Sequence, residues 1–133
     1  MKYSKGYKYQ LRATEYIQTS LRPKETAYAP LVTLYTDGML VIQTYFAWDG
    51  CSGPTWDDKT NARGCLAHDA LCYLMRMGAL PQKYLGQVDA EVKRIMLIDG
   101  AIPCRAKYYG KGLKLIGGGY AKPKNARKIL TAP

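Results

Sequence analysis

The chain lacks a run of roughly 20 consecutive apolar residues, the length a helix needs to cross a bilayer, so no membrane-spanning helix is expected. Its first residues, Met1-Lys2-Tyr3-Ser4-Lys5-Gly6-Tyr7-Lys8, carry positive charge with no apolar run behind them. A conventional signal peptide is therefore not expected either. Cys-x-x-Cys knuckles and internal repeats are absent, and histidine occurs once, at His68. Acidic residues stop at Asp99. What remains is 133 residues, 47% hydrophobic and 23% charged, enough to fill the core of one small domain and too apolar for wholesale disorder.

The net charge of +10 follows from that missing acid. The first 99 residues hold 12 Lys/Arg against 10 Asp/Glu, nearly balanced. Beyond them Arg105, Lys107, Lys111, Lys114, Lys122, Lys124, Arg127 and Lys128 add eight uncompensated positive charges. Such a segment is drawn to polyanions, whether nucleic acid, anionic lipid or an acidic protein surface. It can equally be a solvated helix face with a soluble tail. Tyr108, Tyr109 and Tyr120 lie among the lysines and could stack on bases, but no nucleic-acid recognition module is discernible, so nucleic acid is the weaker partner. The candidate positions for a polyanion or a neighbouring subunit are Lys111, Lys114, Lys122, Lys124, Arg127 and Lys128.

Periodicity divides the chain. Residues 7–46 read as β: Tyr7 to Arg12 alternates apolar and polar, Glu15 to Thr19 is a second strand, and Leu31–Thr36 and Met39–Phe46 flank Asp37-Gly38. Asp-Gly can take the positive-φ pair of a type I′ turn, which predicts a hairpin there. Residues 47–58 are dense in turn formers and read as a shaped loop. Helices are predicted over about 60–77, with Asp57, Asp58 or Thr60 near its start and Gly78 as its stop, over about 81–100 starting at Pro81, and over about 103–116. Strands first and helices after predict a single α+β domain over 1–120. An N-terminal antiparallel meander would pack on an antiparallel helix pair, with a third, basic helix and a basic tail over 121–133.

On the first long helix Asn61, Gly64, Cys65, His68, Cys72 and Met75 form one stripe with Asp69 at its edge. On the second, Leu85, Val88, Val92 and Met96 form a stripe with Asp89 at its margin. The linker Gly78-Ala79-Leu80-Pro81 is short enough to make the two antiparallel neighbours. His68 lies ~15 Å from the turn along its helix, Asp89 ~12 Å along the other and Asp99 ~27 Å, so Asp89 is the acid that reaches His68. A buried carboxylate holding an imidazole is a general-base arrangement, because the acid fixes the tautomer and stabilises the imidazolium. The same pair can instead be a core hydrogen bond tying two helices together.

Cys65-Leu66-Ala67-His68-Asp69-Ala70-Leu71-Cys72-Tyr73, after a glycine-rich turn and with Asp89 on the following helix, resembles the active-site helix pair of secreted phospholipases A₂, especially short bacterial and fungal ones. This likeness spans about residues 46–96. A longer stretch, about 7–121, is similar to a group of small uncharacterised phage and prophage proteins. It rests on Phe46-Ala47-Trp48-Asp49-Gly50, Ser52-Gly53-Pro54, Arg63-Gly64, His68-Asp69-Ala70-Leu71 and Arg105-Ala106.

The phospholipase likeness implies that His68 deprotonates a water attacking an ester carbonyl and that Asp89 orients it. It implies Ca²⁺ on Asp69 with backbone carbonyls of Trp48, Asp49, Gly50 and Ser52, a hard-oxygen set suited to that ion. The tyrosine that the pattern has three residues after Asp69 is Cys72 here, with Tyr73 displaced around the helix. The bacterial pattern implies a Cys51–Cys65 disulfide, leaving Cys72–Cys104. Read from the residues alone, Cys51, Cys65, Cys72 and Cys104 can be disulfides or buried thiols, or, more weakly, zinc ligands with His68. The phage likeness implies a protein made in the host cytoplasm and carried in the virion, where thiols can oxidise after lysis. Its partners would be host-envelope phospholipid or other virion proteins.

Overall fold

Alternation of apolar and polar side chains shapes the first half of the protein, and helical stripes shape the second. A computed structural model describes residues 2–3, 9–48, 60–101 and 130–131. Its elements run β1 (Lys2–Tyr3), β2 (Tyr9–Gln10), β3 (Glu15–Gln18), β4 (Ala27–Ala29), β5 (Val32–Leu34), β6 (Met39–Ile42), β7 (Ala47–Trp48), α1 (Ala62–Arg76), α2 (Leu85–Ile98) and β8 (Leu130–Thr131). The fold is α+β.

The main sheet has the order β3-β6-β5-β4, with every neighbour antiparallel. One row across it, Ile17, Leu40, Leu34 and Ala27, faces the core and is almost wholly buried. The adjacent row, Tyr16, Val41, Thr33 and Tyr28, faces outward, as a two-residue repeat requires. Against the inner face lie Leu66, Ala67, Ala70, Leu71 and Leu74 of α1, joined by Phe46, Leu80, Val88 and Ile95 in one core.

Three expectations about the strands need correction. The Asp37-Gly38 hairpin exists, but its turn is not type I′. Gly38 alone of the two has positive φ, at 90°, and Tyr35 N–H donates to Met39 O at 2.9 Å while Gly38 N–H donates to Tyr35 O. This is a three-residue loop, in which the left-handed residue comes last. Second, the strand expected over Met39–Phe46 ends at Ile42. Phe46 N–H donates to Gln43 O across a tight turn with Tyr45 at φ 78°, and β7 then pairs with β2 in a separate ladder, Tyr9 opposite Trp48. Ala47 and Trp48, expected in the loop, are therefore strand residues. Third, β4 was not expected. Its Ala27-Tyr28-Ala29 carries little β propensity, and it is held by the turn at Pro30-Leu31, where Leu31 takes φ 74°.

The helices fall close to their expected spans. Asn61, rather than Asp57, Asp58 or Thr60, occupies the N-cap of α1, since the helix begins only at Ala62. Pro81 does not open a helix. It is extended (φ −60°, ψ 145°) and leads into a 3₁₀ turn, Gln82–Tyr84, before α2. Both helices stop as their glycines dictate. Gly78 (φ 76°) and Gly100 (φ 98°) adopt the left-handed conformation, with Ala79 N–H bonded to Leu74 O and Ala101 N–H to Met96 O, each closing a Schellman motif.

The third helix expected over 103–116 lies outside the described residues. At the far end β8 pairs antiparallel with β1, Lys2 opposite Thr131 and Tyr3 opposite Leu130. Residues 130–131 of the basic tail are thus joined to residues 2–3.

Candidate functional site

Helix α1 turns a continuous face inward because its small and apolar residues recur every three or four positions. Asn61, Gly64, Cys65, His68, Cys72 and Met75 are all buried, and Asp69 at the margin is half-buried. Gly64 permits the close approach of α2: a Cβ there would stand 3.1 Å from Val92 O and 3.2 Å from Met96 Cγ. At the open ends of the pair, Arg63 binds Asp99 through two contacts of 3.1 and 3.2 Å, which holds the helices antiparallel and in step.

With the helices so fixed, His68 and Asp89 meet. His68 Nε2 and Asp89 Oδ1 are 2.9 Å apart, with 2% and 5% of each residue exposed. On the other ring nitrogen, Nδ1 stands 3.7 Å from Asp69 Oδ1, an ion-pair distance too long for a hydrogen bond. Cys72, one turn further along α1, places Sγ 3.7 Å from Nε2 and 3.9 Å from Nδ1. Burial by itself pushes the imidazole toward its neutral form. The neighbouring Asp69, Asp89 and Cys72 together outweigh it and hold the His68 pKa well above its ordinary value near 6.5. Two carboxylates and a thiol therefore favour the imidazolium.

Trp48, expected to offer a carbonyl to Ca²⁺, is positioned by its pairing with Tyr9, whose ring lies 5.5 Å from its own. Phe46, two residues earlier, packs its ring 5.7 Å from that of Tyr73 on α1, so β7 runs beside this helix. Asp49, Gly50 and Ser52 lie outside the described residues, as do Cys51, Cys104, Lys111, Lys114, Lys122, Lys124, Arg127 and Lys128. Among the described residues no three His, Cys, Asp or Glu side chains converge on a metal position.

The cysteines revise two expectations. Cys72 is a free, fully buried thiol, so the Cys72–Cys104 pairing does not hold. Its sulfur lies 3.7 and 3.9 Å from the two ring nitrogens of His68. Cys65 is disulfide-bonded, to a partner outside the described residues. Its sulfur is thereby removed from the zinc set drawn around His68, because a disulfide sulfur is no thiolate ligand.

Two features of the helix pair carried no mark in the sequence reading. Glu91 is 2% exposed, and its carboxylate accepts hydrogen bonds from the backbone N–H and hydroxyl of Ser20 and from Arg94 Nε and Nη2. Arg94 also donates to Gln18 O at 2.7 Å, so this cluster staples α2 to the end of β3. The spacing Val88, Glu91, Ile95 puts Glu91 on an inward face and was the available signal. Second, the Tyr73 hydroxyl donates to Pro30 O at 3.1 Å, anchoring α1 to the turn after β4. No family model, curated protein or solved structure matches the chain.

Proposed function

We propose that this protein is a Ca²⁺-dependent ester hydrolase of phospholipase A₂ type, built on a His68–Asp89 dyad and directed at host-envelope phospholipid. The observation that carries this reading is the 2.9 Å contact between His68 Nε2 and Asp89 Oδ1, which leaves Nδ1 on the side of the less buried Asp69. A base must keep one nitrogen for its orienting acid and turn the other toward the water it activates. Asp89 holds the ring and stabilises the imidazolium that forms when His68 takes the proton. Asp69, with carbonyls of Trp48, Asp49, Gly50 and Ser52, would hold Ca²⁺. When bound, the ion supplies Lewis acidity to the ester carbonyl. The neutral ring is the working base, so the raised pKa of His68 makes hydrolysis increase with pH.

Release of fatty acid from phosphatidylglycerol vesicles, measured with Ca²⁺ and with a chelator, tests the reading. Calcium-dependent release that Asp69→Asn abolishes is the expected result. Equal, background release under both conditions would overturn it.

A second reading is supported by the depth of the dyad, with His68 only 2% exposed. In it the pair serves as a core tie within a virion or tail component, which contacts a neighbouring subunit or polyanion through its basic C-terminal third. The pairing of β1 with β8 supports an anchored rather than a free C-terminal end. Purified virions should then contain the chain at fixed stoichiometry, and its absence from particles would remove this alternative.

A further inference from the structure

Helix α1 covers one face of the main sheet, and the other face is open at its tyrosines. Six strand residues point outward by alternation: Tyr16 and Gln18 on β3, Met39 and Val41 on β6, Thr33 on β5 and Tyr28 on β4. Tyr16 and Tyr28 are 65% and 64% exposed and stand on the two edge strands, with half-buried Val41 and Thr33 between them. Three strand spacings separate the tyrosines, roughly 14 Å. Tyr35, whose N–H bonds to Met39 O, follows Leu34 of β5 and adds a third exposed ring. None of the six outward residues carries a charge, in a chain with 20 Lys/Arg and 10 Asp/Glu. Glu15, the one charged residue of these four strands, lies in the inward register opposite Ile42.

We propose that this face binds a neutral, linear glycan of equatorially linked pyranose rings, laid across the row Tyr16, Val41, Thr33 and Tyr28. Such a sugar has an apolar C–H face that stacks on an aromatic ring, and a rim of hydroxyls that needs uncharged donors and acceptors. Tyrosine supplies a rigid ring with a polar tip at little cost in rotamer entropy. Thr33 and the tyrosine hydroxyls can both donate and accept. Gln18 spends its Nε2 on Thr19 O and Asp37 O, which leaves its amide oxygen to accept. The lack of charge selects against other occupants. Nucleic acid needs cations beside the aromatics to meet its phosphates, and an anionic bilayer needs them for its headgroups. A second copy brings another net charge of +10 against the first. The face lies across the sheet from α1, so it neither depends on the His68–Asp89 site nor obstructs it.

Isothermal titration of the full chain with cellohexaose and with chitohexaose tests this. The wild type should bind at least one of them, with an affinity unchanged between about 0.05 and 0.5 M salt, because no ion pair forms. Tyr16→Ser and Tyr28→Ser should each weaken binding about tenfold, and the double variant should abolish it. Ile98→Ser removes a similarly exposed apolar side chain from the helix layer and should bind as the wild type does. Melting curves that match the wild type show that lost binding is not a lost fold. Binding of neither glycan would overturn the proposal. So would binding that weakens with salt, which belongs to the basic residues, or binding that neither tyrosine affects. A wild-type dimer that Tyr16→Ser dissociates would also overturn it, because the face would then be an interface between copies.

Discussion

The sheet and the helix pair bury their residues by opposite rules. The inner face of the sheet is closed by Ile17, Leu34, Leu40, Ile42 and Val32, with no charged side chain fully buried there. The helix pair buries Asn61, His68, Asp89 and Glu91 within the same core. Apolar burial stabilises a fold without conditions. A buried ionisable group stabilises it only while every partner is in place. The sheet is therefore a platform tolerant of change, whereas the helix pair carries an arrangement in which each member depends on the others. That concentration of buried polar groups on one pair of helices is why the proposed function is placed there.

The comparison is broken most severely at Asp89. Asp89→Ala leaves the imidazolium buried without its closest partner and should cost about 3–5 kcal/mol, read as a drop in the denaturant midpoint. Replacing both partners, His68→Leu with Asp89→Leu, should recover most of that loss, since the apolar pair needs no partner. A double variant as unstable as Asp89→Ala would show that the two helices depend on the ion pair itself. On the platform side, Leu40→Ala should cost about 2–5 kcal/mol through transfer and cavity terms alone, with any hydrolase activity per folded molecule unchanged.

A smaller effect distinguishes the halves by pH. In metal-free buffer the folded-state pKa of His68 lies above its unfolded value, so protonation favours the folded chain. Among the described residues, the charged and titratable groups around the ring are Asp69 and Cys72 from α1 and Asp89 from α2. Their contribution is complete below about pH 6.5 and is lost as pH rises through the folded pKa. Melting temperature should fall over that interval in the wild type, and the fall should shrink in His68→Gln. An identical profile in both would place the pH dependence elsewhere. Least of all should the outer face of the sheet matter. Tyr16→Ser and Tyr28→Ser, at positions about two-thirds exposed, should each change stability by less than about 1 kcal/mol.

How much of this could be read from the residues differs between the halves for a physical reason. The level at which His68 meets Asp89 follows from counting outward from Gly78 and Pro81, because helical rise is constant and both ends have chemical stop signals. The inward stripe of α1 was equally legible, since burial of its small residues repeats with the helical period. The turns of the sheet were not. Leu31 and Tyr45 take positive φ with no glycine to announce it, held by bonds from Gln43 N–H to Leu31 O and from Tyr45 N–H to Leu11 O, both long-range. Glu91 was missed because a charged residue on a helix is normally solvated, and its partner Ser20 lies 71 positions away. The free state of Cys72 depends on where its sulfur points, which no spacing specifies.

The central claim is that the buried dyad performs chemistry and does more than pack. The most direct test compares Ca²⁺-dependent fatty-acid release by the wild type with that of His68→Gln, alongside the melting curve of each. Release in the wild type that disappears in a folded His68→Gln is the predicted result. Absence of release from both proteins, with His68→Gln merely melting earlier, would contradict it.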